Sequence, residues 1–153
     1  MSLIHALPIR IYYEDTDFTG VVYHASYLRF LERGRTDMLR EAGIGQGDLH
    51  GAEAFHFVVR RMTIDWLKPA RMDDIVTVET RPGEIKGASL VMVQRVLRGD
   101  DVLLTADVLV AGVVGGRPAR LPPSVRQALA PFVPVASPSA PEASPGKHGE
   151  TGP

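Results

Sequence analysis

The chain has 153 residues, of which 44% are hydrophobic and 23% charged, with a formal net charge of −1 and a pI near 6.5. This balance is typical of one globular domain. It gives no sign of the clustered Lys and Arg with which proteins bind nucleic acid, so we expect no nucleic-acid partner. The sequence contains no cysteine, which excludes disulfides, thiolate metal sites and a cysteine nucleophile.

The first part of the chain is predicted to contain one strand and one long helix. The run from Ile9 to Tyr13 is β-branched and aromatic, which predicts a strand that ends at an aspartate-rich turn. A helix is predicted from about His24 to Ala42, because small and apolar residues recur there at spacings of three and four. The residues that share this face are Tyr27, Leu31, Gly34, Met38 and Ala42. Gly34 indicates a close approach of the helix to a sheet, and Gly43 predicts the end of the helix.

A long strand is predicted after the helix. A polar, glycine-rich linker over residues 43–53 precedes it, and the strand runs from Phe55 to Leu67 until Pro69 ends it. Four apolar residues of this strand share parity and therefore one face. They are Val58, Met62, Ile64 and Trp66.

Three further strands and a short helix complete the predicted elements. Apolar and polar residues alternate over residues 76–81, which predicts a half-buried strand. The runs Ser89 to Leu97 and Val102 to Val114 are joined by Arg98 to Asp101, whose glycine and aspartates suit a tight hairpin turn. A terminal helix is predicted over Pro122 to Leu129, with proline at its start.

This order of elements indicates an α+β protein in which a curved antiparallel sheet of about five strands wraps one long helix. Such a sheet covers the helix on one side only, so we expect a second copy to join the sheets or cover their open surfaces. We expect residues 1–132 to form this domain. Residues 133–153 are rich in Pro, Ser and Gly, which predicts a disordered tail.

The segment between the first strand and the helix suggests a reactive site. Asp15 and Asp17 lie where the strand gives way to a loop, and Gly20 lets the chain turn back toward the helix. His24 falls in the first helical turn, where unpaired N–H groups and the macrodipole favour a negative oxygen. An aspartate facing a carbonyl group polarised by these N–H groups could act as a general base on water or attack the carbonyl itself.

Each of these residues also has a structural interpretation. An aspartate in such a loop often forms an Asx turn or a helix cap, and this interpretation is favoured more strongly for Asp15 than for Asp17. A metal site of Asp15, Asp17 and His24 is a weaker alternative, because no further spaced ligands accompany them. Tyr13 and Tyr23 are predicted to be core aromatics with a polar tip.

Three segments carry a more specific pattern. Tyr13 to Arg35 contains Asp-Thr-Asp-x-x-Gly, then Val-Tyr-His-x-x-Tyr and Glu-Arg-x-Arg, and Phe57 to Asp74 contains Trp-Leu-Lys-Pro-Ala-Arg. With Ala88 to Leu90, these segments resemble the hot-dog-fold acyl-CoA thioesterases of the 4-hydroxybenzoyl-CoA thioesterase type. They are most similar to the YbgC-like members associated with the Tol-Pal system. The resemblance covers most of residues 9–130 and implies the hot-dog fold and thioester hydrolysis.

The resemblance also implies roles for individual residues. Asp17 matches the family's catalytic carboxylate, as nucleophile or general base, and the His24 N–H matches the donor that polarises the thioester carbonyl. The side chains of Tyr13 and His24 match positions that line the site. Phe18 and Thr19 stand where smaller residues often occur, and they would narrow or reshape the acyl pocket. Five basic residues are candidates for binding the coenzyme A phosphates. They are Arg60, Arg61, Lys68, Arg71 and Lys86.

The resemblance implies an acyl-CoA substrate, no metal or organic cofactor, and a homodimer or homotetramer with active sites at subunit interfaces. Two alternatives stay open: an acyl-carrier-protein thioesterase, and a non-catalytic acyl-CoA-binding or scaffold protein of the cell envelope. The N-terminus lacks the features of a signal peptide. The most apolar later run, Val108 to Gly116, is shorter than the roughly 20 residues that span a bilayer. A cytoplasmic protein without a transmembrane segment is therefore predicted.

Overall fold

The structure of this chain is a computed structural model that describes residues 3–44 and 55–132. Its first elements are strand β1 (His5–Arg10), a 3-10 turn (Tyr13–Asp15) and helix α1 (His24–Glu41). The later elements are β2 (His56–Trp66), β3 (Ile75–Lys86), β4 (Ser89–Arg98), β5 (Asp101–Val114), β6 (Arg117–Pro118), helix α2 (Pro123–Leu129) and a 3-10 turn (Ala130–Phe132). Most of the predicted linker and the whole predicted tail, residues 133–153, lie outside the described residues.

The strands form one antiparallel sheet in the order β1-β3-β4-β5-β2, and β6 pairs with the end of β5. The sheet is open, with β1 at one edge and β2 at the other. Helix α1 packs against it, mainly on β1 and β3. This arrangement confirms the predicted α+β architecture. Neither helix within the described ranges has the length and apolar character that crossing a bilayer requires.

Helix α1 lies close to the sheet because its inward face includes Gly34. A Cβ atom on Gly34 would lie 2.6 Å from Val78 Cγ1 and 2.9 Å from Thr80 Oγ1. The large buried side chains on the same face are Tyr27, Phe30, Leu31 and Met38. The predicted close approach is therefore confirmed, and Gly43 follows the helix with a φ of 86°, as its predicted role requires.

One buried polar side chain ties α1 to the sheet. The Nε2 of Gln94 donates to the Leu31 carbonyl and to Thr80 Oγ1, both at 2.9 Å, while Arg35 donates to its Oε1 at 3.0 Å. Gln94 is almost completely buried, and these bonds satisfy both ends of its amide. They hold the short helix-to-sheet distance that Gly34 permits.

The first strand lies earlier than predicted. The prediction placed it at Ile9 to Tyr13, whereas β1 spans His5–Arg10 and Tyr13–Asp15 forms a 3-10 turn. The physical reason is the carboxylate of Asp15, which accepts the Tyr12 N–H at 2.9 Å and bends the chain. The predicted helices and the other predicted strands match the observed ranges within one residue at each end, except that β3 continues to Lys86.

A bulge in β2 changes which residues of the strand face the core. Its pairing with β5 shifts register between Val59 and Arg61, which makes Arg60 an extra residue. Before the bulge, Phe57 packs against the core and Val58 is exposed. The prediction that Val58 shares the face of the later apolar residues was therefore wrong.

Candidate active site

A short hairpin after β1 holds Asp17. Thr16 and Val22 pair across it as an antiparallel bridge, and the Asp17 N–H donates to the Val21 carbonyl at 2.8 Å. Gly20 closes the turn with a φ of 84° and donates its N–H to the Asp17 carbonyl at 3.1 Å. The backbone of Asp17 is therefore fixed at a tight turn, while its side chain is exposed.

The carboxylate of Asp17 is held through one oxygen. Oδ1 accepts the Thr19 hydroxyl at 2.6 Å and the Thr19 N–H at 2.8 Å, whereas Oδ2 has no hydrogen-bond partner among the described residues. These two bonds lower the pKa of the Asp17 carboxyl below its ordinary value, with smaller contributions from the Val21 backbone and the charge of His24. Asp17 is consequently ionised at neutral pH, with one oxygen free to react.

Helix α1 follows this hairpin directly and begins with free N–H groups. Tyr23 occupies the cap position without a side-chain capping bond in the described part of the chain, and its N–H donates to the Asp15 carbonyl at 2.9 Å. His24 and Ala25 are the first helical residues, so their N–H groups have no partner within the helix. The Ser26 N–H turns back to the Tyr23 carbonyl at 2.9 Å. This helix start can therefore stabilise a negative oxygen.

Asp15 makes contacts that stabilise the fold. Its buried carboxylate accepts the Tyr12 N–H and lies 3.7 Å from the guanidinium of Arg29. Its carbonyl also accepts the Ser26 hydroxyl at 3.0 Å. Within residues 3–44 and 55–132, no group of three or more His, Asp or Glu could hold a metal ion. Asp15 therefore holds the junction of hairpin and helix, and the metal alternative gains no support.

Aromatic rings form a wall beside the helix start. The His24 ring lies edge-to-face against Trp66, with centroids 5.1 Å apart, and Tyr27 packs on the same indole at 5.4 Å. The phenol oxygen of Tyr27 accepts the Ala70 N–H at 3.0 Å. Burial raises the pKa of Tyr27 above its ordinary value, so the phenol stays protonated. The indole and the phenol of this wall are thus both neutral.

The Asp17 hairpin, α1 and the strands β2 to β6 all fall within residues 12–129, which match the thioesterase-like superfamily. The chain belongs to this superfamily.

Sequence and structural similarity to individual thioesterases supports this assignment. The chain is 47% identical over 121 residues to the acyl-CoA thioester hydrolase YbgC of Escherichia coli, an alignment that covers 77% of this chain and 90% of that protein. It is 43% identical to a probable thioesterase from Bartonella henselae, with a TM-score of 0.75 and coverage of 78% and 100% of the two chains. A Thermus thermophilus thioesterase solved with coenzyme A and Zn is 27% identical, with a TM-score of 0.71 and coverage of 83% and 92%. The predicted resemblance and hot-dog fold are confirmed.

Tyr13 and Tyr23 of this thioesterase-like chain are not core aromatics, so that prediction was wrong. Tyr13 is 81% exposed and Tyr23 is 53% exposed. Tyr13 lies in the 3-10 turn and Tyr23 at the helix cap, and both positions face outward. Neither phenol makes a hydrogen bond within the described residues. The role of Tyr13 in lining the site stays a prediction.

Two of the five basic candidates lie in the segment after β2, which pairs with the Asp17 hairpin at Val21. Arg71 pairs through its backbone with Val21, the residue that accepts the Asp17 N–H. Lys68, three positions earlier, forms an ion pair with Asp101 at 3.1 Å. Arg71 therefore lies beside the hairpin, whereas the Lys68 ammonium is paired with Asp101.

The other three basic candidates lie elsewhere on this thioesterase-like domain. Arg61 and Lys86 line one shallow pocket together with the carboxylates of Glu84 and Asp107. Arg60 is the exposed extra residue of the β2 bulge. The structure therefore does not bring the five predicted residues into one basic cluster, and their role in substrate binding stays a prediction.

A cavity of about 420 Å³ lies at the opposite end of β2 from Trp66. Residues 55–59 line it together with Arg35 and Leu39 of α1. Val58 and Trp66 are eight residues apart, which is roughly 25 Å along a strand. Within one chain this cavity is therefore separate from the Trp66 wall. Phe18 and Thr19 are not among the residues that line it.

The contacts of Thr19 and Trp66 were not predicted from the sequence. The spacing Asp-x-Thr at a turn was a usable signal for Thr19, because hydroxyl and aspartate side chains bond locally in such turns. No local signal identifies Trp66 as part of the site, since its contact with His24 joins the end of β2 to the start of α1.

Proposed function

We propose that this thioesterase-like protein hydrolyses acyl-CoA thioesters to a free acid and coenzyme A. The observation that carries the proposal is that one short segment holds both an ionised, exposed Asp17 and the N–H groups at the start of α1 that have no partner within the helix. The substrate class is supported by the name of the YbgC relative and by the coenzyme A in the Thermus thermophilus structure.

In the general-base route, the thioester carbonyl oxygen accepts the His24 N–H. Asp17 takes a proton from water through Oδ2 while the water oxygen attacks the acyl carbon. The helix start stabilises the resulting oxyanion. Collapse of this intermediate breaks the C–S bond, and the coenzyme A thiolate takes up the proton. The thiolate leaves readily, so a single carboxylate with a backbone donor is sufficient.

In the nucleophilic route, Oδ2 of Asp17 attacks the acyl carbon itself. The C–S bond breaks, coenzyme A leaves as the thiolate, and a mixed anhydride with Asp17 remains. Water then hydrolyses the anhydride and restores the carboxylate. Both routes use the same free oxygen and the same helix-start donors, and they differ in whether an acyl-enzyme forms.

The substrate class is tested by coenzyme A release, followed with a thiol reagent. The panel contains short-chain, long-chain and aromatic acyl-CoAs, with the same acyl groups on acyl carrier protein for comparison. We expect turnover of at least one acyl-CoA, with a higher kcat/KM than for the matching carrier-protein thioester. Turnover restricted to carrier-protein thioesters, or binding without turnover, would contradict the proposal and favour the respective alternative.

The cytoplasmic location stays a prediction.

Activity should persist to acidic pH. Asp17 must be ionised in either route, and its pKa lies below the ordinary value because Thr19 donates two hydrogen bonds to it. We therefore expect the acid limb of kcat/KM to have its midpoint below the ordinary aspartate pKa. A pH profile of initial rates checks this, and a midpoint at or above the ordinary value would contradict it.

We also propose that two copies pair through β2. This strand is an open sheet edge, and it exposes Val58, Val59 and Trp66, which natural sheets rarely leave uncovered. Antiparallel pairing of two β2 strands places the end of one beside the start of the other. The cavity against residues 55–59 of one chain would then lie next to Trp66 and His24 of the other, and could receive the acyl group.

An acidic residue on this edge should weaken the assembly. Val59→Asp places like charges near a twofold interface, so we expect a shift toward monomer and a loss of turnover. Ile4→Asp is the matched control, since Ile4 is equally exposed beside the opposite edge strand β1. Sedimentation velocity measures both variants. A Val59→Asp protein that keeps the wild-type sedimentation coefficient and activity would overturn β2 pairing.

A further inference from the structure

Thr19 holds the Asp17 carboxylate through two hydrogen bonds to the same oxygen, one from its hydroxyl and one from its N–H. Phe18 between them is fully exposed. We infer that Thr19 is a positioning residue for thioester hydrolysis, whose hydroxyl holds Oδ1 so that Oδ2 faces the reacting carbon. This inference rests on the proposed function, and it extends that function to a residue that acts through Asp17.

The geometry gives Thr19 this role because the turn fixes only the backbone of Asp17. An exposed aspartate side chain otherwise samples several rotamers, and ordering it at the moment of reaction costs conformational entropy. The Thr19 N–H supplies one anchor, and the hydroxyl at 2.6 Å supplies a second to the same oxygen. The β-branched Thr side chain is itself restricted in χ1, so the hydrogen bond from its hydroxyl is formed before substrate binds.

The hydroxyl also stabilises the charged form of Asp17. Its hydrogen bond is the largest influence that lowers the pKa of this carboxyl. Two basic groups lie on the neighbouring segments: His24 at the start of α1, whose charge acts in the same direction, and Arg71, whose backbone pairs with Val21. Replacement of Thr19 leaves both residues in the chain. A change in the pH profile can therefore be attributed to the loss of the Thr19 hydroxyl.

The test compares Thr19→Val with Thr19→Ser in the full-length chain. Valine keeps the shape and the backbone N–H but removes the hydroxyl, whereas serine keeps the hydroxyl. For Thr19→Val we expect kcat for acyl-CoA hydrolysis to fall about three- to tenfold, with the acid limb of the rate profile moved to higher pH. Thr19→Ser should keep the wild-type kcat and the wild-type position of the acid limb. Thermal unfolding of each variant verifies that the fold is retained.

The outcomes separate this inference from the proposed function. A folded Thr19→Val protein with the wild-type rate and acid limb overturns the inference alone, provided that Asp17→Asn is inactive. Equal losses in Thr19→Val and Thr19→Ser without movement of the acid limb also overturn it, because they indicate a structural role. Full activity of Asp17→Asn would overturn the proposed function together with the inference.

Discussion

Replacement of Asp17 with Asn should lower kcat for acyl-CoA hydrolysis by about 10²- to 10⁴-fold, the range that general acid–base groups contribute. The amide keeps the size of the carboxylate, and its oxygen can still accept the two hydrogen bonds from Thr19. It can neither take a proton from water nor attack a carbonyl. We therefore expect a folded protein that binds acyl-CoA and releases coenzyme A very slowly, as measured with a thiol reagent.

Asp100→Asn is the matched control for this experiment. Asp100 is an exposed aspartate in the turn between β4 and β5, so the same loss of charge there should leave kcat unchanged. An Asp17→Asn protein that retains activity within a few-fold of the wild type would contradict the assignment of Asp17.

Gly34→Ala should lower the free energy of unfolding by about 1–3 kcal/mol, the cost of inserting a methyl group into a packed core. The new Cβ would lie 2.6 Å from Val78 Cγ1 and 3.2 Å from Gln94 Nε2, so the sheet must move or the Gln94 hydrogen bonds must lengthen. Alanine gains up to about 1 kcal/mol of helix propensity over glycine, and the clash should outweigh that gain. Urea unfolding measures the difference.

The same substitution in a Val78→Ala background isolates the clash. Removing Cγ1 of Val78 removes the shortest contact, so Gly34→Ala should cost less there, and the double-mutant cycle should give a coupling of the sign expected for relieved overlap. An equal cost in both backgrounds would indicate that Val78 is not what limits the approach of α1 to the sheet.

The elements that could be predicted are those whose pattern is local. The inward face of α1 follows from residues spaced at the helical period, and Gly34 within that face correctly indicated a close approach. The turn between β4 and β5 follows from Gly99 and its neighbours, and Gly99 has a φ of 60°. In each case the residues that set the structure stand close together in the sequence.

The elements that could not be predicted depend on contacts between distant segments. The bulge at Arg60 is a feature of the pairing between β2 and β5, and it moved Val58 to the exposed side. Within the candidate site, Asp17 and His24 could be proposed together because they share one short segment. Trp66 was not found, because only the folded chain brings β2 against the start of α1.

The most direct test of the central claim is a crystal structure of the full-length Asp17→Asn chain with an unhydrolysed acyl-CoA. We expect the thioester carbonyl oxygen to lie about 2.7–3.1 Å from the His24 backbone nitrogen, with the acyl carbon facing residue 17. A thioester bound away from residue 17 and the start of α1, for example wholly within the cavity of its own chain at residues 55–59, would contradict it.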